Sequence, residues 1–156
     1  MVREHLGSGR PITLRAGGLS MVPMLLPGVR ITLLPRNSHR PPTPGTLVAV
    51  RLQGHLVFHL LCEVQEGSSG IRIRTRGLLA DDPDPPTTPE DLLGEIGEVH
   101  LGPWPISVEG DVFRCWRALS LGIAPALRLL KRRVRPFLPP AIRERIYRRL
   151  ATPFGP

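Results

Sequence analysis

Apolar residues up to about residue 106 fall in short runs, each set off by a turn-forming pair. Arg30 to Leu34 follows Pro27-Gly28, and Leu47 to Leu52 follows Pro44-Gly45. Gln53-Gly54 then turns the chain directly into His55 to Val64, the clearest hairpin signal in the sequence. Ile71 to Thr75 alternates with period two, as a strand with one exposed face does, and Glu95 to Leu101 is the last expected strand. Prolines through residues 80–89 remove donors and restrict their predecessors, so that stretch is read as irregular. Strands at this spacing, with no helical period between them, predict a mainly β domain. From Val112 the pattern changes to Leu, Ala and Arg at helical spacing as far as Leu130, with a kink expected at Pro125. After Pro136, Pro139 and Pro140, the segment Ala141 to Leu150 is expected to resume as a short amphipathic helix carrying Ile142, Ile146 and Leu150 on one face.

Length and composition narrow this picture. A chain of 156 residues allows one domain and a short appendage. With only seven aromatic residues, the core must be aliphatic, yet 41% apolar content argues against wholesale disorder. The net charge of +8 is unevenly placed. Residues 1–113 hold 10 basic and 12 acidic residues; residues 114–156 hold 11 basic residues and one acid, Glu144. The expected organisation is therefore a β-rich domain over residues 1–106 and an Arg-rich helical tail over residues 107–156. For the tail (residues 114–156) an anionic membrane surface is the first expected partner, a solvated cap the second, and nucleic acid the last, since aromatics are few and no recognition fold is visible.

No apolar stretch at the N-terminus reads as a secretion signal, and no run is long enough to span a bilayer, so a peripheral membrane or cytoplasmic location is expected. Cys62 and Cys115 lie far apart with no metal-ligand spacing, and burial as small apolar side chains is the reading preferred for both. Neither a metal nor another cofactor is expected.

The segment Gly17-Gly18-Leu19-Ser20-Met21-Val22-Pro23 combines paired glycines, a serine and a stiff apolar turn. Such an arrangement suits a nucleophile held beside free backbone N–H groups, although most serines in turns do no chemistry. Ser20-Met21-Val22-Pro23-Met24-Leu25 resembles the Ser-Met-x-Pro-x-Leu nucleophile box of the signal peptidase I family. Pro44 to Val50, a strand with His59, Thr75-Arg76-Gly77 with Asp84, and Leu93 to Ile96 follow in that family's order. The resemblance covers about residues 10–102. It implies coiled antiparallel sheets and a serine endopeptidase that cuts an extended peptide after a small residue.

Family members activate the serine with either lysine or histidine. The single lysine, Lys131, lies in the basic tail, whereas His59 stands where histidine-type members carry their base. The resemblance therefore implies Ser20 as nucleophile and His59 as general base, with His55 on the same strand face as the competing histidine. A neutral imidazole, with an ordinary pKa of about 6.5, can take a hydroxyl proton near neutral pH. Asp84 is the implied orienting acid, with Asp81 and Asp82 as neighbours able to substitute. The chain departs from the family at Leu78, Val29 and Thr46, which replace acids, and at Gly18, which replaces a hydroxyl near the oxyanion hole. Oxyanion stabilisation is then expected from backbone N–H groups around Gly18 and Ser20. The alternatives are a degenerate relative that binds extended peptides without cutting them, and a structural membrane-surface adaptor.

Overall fold

The computed structural model describes residues 2–36, 42–68, 70–134 and 136. The helix expected over Ala141 to Leu150 lies outside them. The chain is mainly β: a curled antiparallel half-barrel sheet followed by a long helix. A short helix α1 (Val2–Gly7) precedes β1 (Ile12–Arg15), β2 (Arg30–Pro35), β3 (Leu47–Leu52), β4 (His55–Gly67), β5 (Gly70–Arg76), β6 (Leu92–Leu101) and β7 (Trp104–Ser107). Helix α2 (Asp111–Val134) closes the described chain.

Gln53 and Gly54 both take positive φ, 51° and 82°, the geometry that a two-residue type I′ turn requires. They fix the β3–β4 register, with Val48 opposite His59 and Leu52 opposite His55. The sheet order is β1-β2-β6-β3-β4-β5, every pair antiparallel. β6 pairs with β2 on one edge, and on the other with β3 and then β7. Register shifts at Thr32/Leu33, Ala49/Val50 and Leu61/Glu63 add local twist and help to curl the sheet.

Alternation along the strands sends side chains into two apolar clusters. Ile31, Leu33, Leu47, Ala49, Phe58 and Ile96 belong to the larger one; Val48, Leu61, Ile73 and Leu92 form the smaller. β3 therefore buries both of its faces, which explains its unbroken apolar sequence.

Helix α2 is longer than expected and runs unbroken through Pro125. It buries Phe113, Ser120 and Ala124, with Phe113 and Ala124 part of the larger cluster. Side chains along it also reach three loops. Trp116 Nε1 donates to Met24 O at 3.3 Å, Arg117 Nη1 to Gly45 O at 3.1 Å, and Lys131 Nζ to Leu79 O at 3.0 Å. Contacts on both sides of the proline hold the helix across the missing backbone donor. The boundary expected between residues 106 and 107 falls inside β7, and the helix that follows is docked on the sheet. Cys115 is exposed on this helix rather than buried; Cys62 is half-buried, and both are free thiols.

Candidate active site

β1 and β2 are joined by a loop whose base is closed by Ala16 N donating to Val29 O at 2.8 Å and Gly28 N donating to Ala16 O at 2.7 Å. Met21, Met24 and Leu25 sink from this loop into the core, which leaves Ser20 half-buried at its rim. The apolar turn in the sequence thus anchors the hydroxyl. The loop is also held from outside, where Leu79 N donates to Ser20 O at 2.8 Å.

His59 lies on β4 and shares the face of Val48 and Leu61. Thr75 on β5 stands opposite Leu61 and is 1% exposed. The backbone then brings in the acid: Asp84 N donates to Thr75 O at 2.7 Å. Asp84 Oδ2 accepts from Thr75 Oγ1 at 2.6 Å and from His59 Nδ1 at 2.6 Å. The carboxylate can only accept, so it places the proton on Nδ1. The unprotonated Nε2 of the neutral ring then accepts from the Ser20 hydroxyl at 3.1 Å.

Burial acts to raise the Asp84 pKa. The hydrogen bonds from His59 and Thr75, joined by the charge of the imidazolium when the ring is protonated, outweigh burial and hold the carboxyl below its ordinary value of 3.8. The acid is therefore ionised at neutral pH, as an orienting group must be. His59 itself is buried, which keeps bulk water from competing for its ring nitrogens.

Gly77 makes room for this arrangement. A Cβ there would lie 2.8 Å from Ser20 Cβ and 3.1 Å from His59 Nε2. Gly18, two residues before the serine, takes φ of +79°. Among the described residues, neither its amide nor that of Ser20 donates a hydrogen bond, so both remain available to a developing oxyanion.

The structure brings together Ser20, His59 and Asp84 and leaves out the competing residues. His55 is exposed beside the hairpin turn. Asp81 pairs with Arg132 at 3.0 Å, and that hydrogen bond holds its carboxyl below the ordinary value. Lys131 donates to Leu79 O, so the hydrogen bond to the serine belongs to the imidazole. Leu78 is a buried member of the larger cluster, where an acid would lack solvation.

Sequence reasoning gave no role to Thr75, although its inward register with Ile73 was a usable signal. It also read Gly77 only as part of a motif, because a close approach between distant segments leaves no local mark. A scan against protein-family models matches none, and a search of curated proteins finds no relative.

Proposed function

We propose that this chain is a serine endopeptidase of the signal-peptidase type, with Ser20 as nucleophile, His59 as general base and Asp84 as the acid that orients the imidazole. The observation carrying this reading is the unbroken hydrogen-bond series from Asp84 through His59 to Ser20. As Ser20 Oγ attacks a peptide carbonyl, its proton passes to His59 Nε2, and Asp84 stabilises the imidazolium. The free amides at Gly18 and Ser20 receive the negative charge on the carbonyl oxygen. The imidazolium then protonates the leaving amine; water, deprotonated by the same ring, attacks the acyl carbon, and the ring returns that proton to Ser20 Oγ as the acid product leaves.

An extended substrate suits the surroundings. Among the described residues β1 pairs with β2 alone, and it leads straight into the Ser20 loop, so its other edge can accept a peptide strand. Preference for a small residue at the cut rests on the resemblance of the serine box.

The test is acylation of purified protein by a fluorophosphonate or penem, followed by cleavage of peptides with small residues at the cut. Wild type is expected to label at Ser20 and to cleave. Ser20→Ala and His59→Ala each abolish cleavage, and the double variant loses little more, because the two act as one unit. His55→Ala keeps most activity. An active wild type that tolerates His59→Ala would sink the mechanism; a wild type inert to both reagents and peptides would leave a peptide binder.

A further inference from the structure

We propose that α2 and the β6–β7 turn form a membrane-docking surface, on which the helix lies flat on an anionic bilayer with an apolar stripe inserted and its cations at the headgroups. The stripe is Val112, Trp116, Leu119, Ile123, Leu130 and Val134, at steps of three and four residues with Ala126 completing the row. Each of the six is among the exposed large apolar residues of the chain, and Val112 is 69% exposed. The stripe is separate from the docked face: Phe113, Ser120 and Ala124 point about a quarter to a third of a turn away. Among the described residues, packing against the sheet leaves most of the stripe uncovered, and Trp116 alone of the six also reaches a loop, at Met24 O.

At its N-terminal end the stripe runs into an apolar groove of about 350 Å³ between the helix, the serine loop and the β6–β7 ribbon. Leu26, Leu101 and Ile106 line it together with Val112 and Trp116. Leu101 pairs with Trp104 in the ribbon, so Trp104, 73% exposed, shares this face. Both tryptophans of the chain thus stand on one exposed apolar surface, the placement that indole favours at a bilayer interface.

Charge decides the occupant. Helix α2 carries Arg114, Arg117, Arg128, Lys131, Arg132 and Arg133 against a single acid, Asp111. Arg114, Arg117, Lys131 and Arg132 also bond within the protein, yet residues 114–156 as a whole hold 11 basic residues and one acid. A second copy laid on the same stripe would set two such cationic helices against each other, whereas anionic headgroups complement them. No helix among the described residues is long and apolar enough to cross a membrane. An apolar stripe on one face, with most of the arginines on the other, instead fits a helix lying in the interface.

The experiment uses the full chain with vesicles of phosphatidylcholine alone or mixed with phosphatidylglycerol, read by co-sedimentation and tryptophan emission. Wild type is expected to bind the anionic vesicles with a blue shift. Part of the binding and the shift should survive about 1 M salt, where screening falls to about 3 Å and insertion remains. Leu119→Gln/Ile123→Gln changes no charge and should weaken partitioning at least about tenfold. If its unfolding midpoint drops, Leu130→Gln, farther along the stripe, serves instead and should weaken partitioning in the same direction.

Four results would overturn the proposal. They are no binding to anionic vesicles, binding without a tryptophan shift that salt abolishes, binding unchanged in the glutamine variants, and a lipid-free dimer that buries Trp116. Ser20→Ala should bind as wild type does, so the outcome is independent of the peptidase reading.

Discussion

A hydrogen atom at Gly77 leaves just the space that Ser20 and His59 occupy. Adding one methyl group puts its carbon 2.8 Å from Ser20 Cβ, so the serine loop or β5 must move. Gly77→Ala is expected to lower kcat by about 10²-fold, the usual cost of an ångström-scale misplacement. Gly77 is buried and the added carbon also lies 3.1 Å from Ser20 O, so the unfolding midpoint should fall as well. A variant that keeps both its midpoint and full activity would mean the relay tolerates that shift. Asp84 gives a second test, read in stability. Its folded pKa lies below 3.8, so its stabilising effect is present above the unfolded carboxyl value and is lost as pH falls through the folded one. Asp84→Asn should therefore melt below wild type at about pH 6, and the two midpoints should converge as the pH falls through the folded value. A gap that stays constant with pH would place the cost in packing rather than in the carboxylate.

Elements differ in how openly the sequence announces them, and the reason is local chemistry. The β3–β4 hairpin was legible because Gln53-Gly54 is a turn in itself and the flanking runs are apolar. Its first turn residue is not the best available: Gln53 sits at φ of 51°, a region that asparagine adopts more readily. Gln53→Asn should raise stability by about 0.5 kcal/mol in chemical denaturation, with no change in cleavage. β1 and β7, of four residues each, were not legible, because they are too short to show a period and β7 contains Pro105. Their existence depends on β2 and β6, which supply partners from elsewhere in the chain. Pro125 misled in the opposite direction: local propensity predicts a kink, and packing of Ser120 and Ala124 overrides it. For the site, the serine box and His59 could be read from order of motifs. The meeting of Asp84 with Thr75 depends on how an irregular proline-rich segment folds back on β5, which no period encodes.

At the scale of the molecule, the division into a near-neutral β domain and a basic tail describes charge but not packing. Helix α2 places Phe113 and Ala124 in the same apolar cluster as the strands, and its last turn ties Arg132 to Asp81 on the loop leading to Asp84. Exposed ion pairs of this kind contribute little, about 0 to 1 kcal/mol each, so the apolar seam must dominate the docking. Ser120 sits at the centre of that seam, fully buried, and its Oγ finds no hydrogen-bond partner among the described residues. The seam can thus be tested with single residues. Ser120→Ala removes an unsatisfied hydroxyl and should stabilise by about 1 kcal/mol. Ser120→Arg forces a cation into the same place and should cost at least about 2 kcal/mol, because the charge must either be buried or pull the helix away. On an undocked helix both changes would fall within about 0.5 kcal/mol of wild type, as surface substitutions do. Removing residues 114–156 should then lower the denaturation midpoint by more than Ser120→Arg does, since Ser120 and Ala124 leave the core together with the cations that brace the loop before Asp84. A truncated chain as stable as the whole would show that the β domain stands alone.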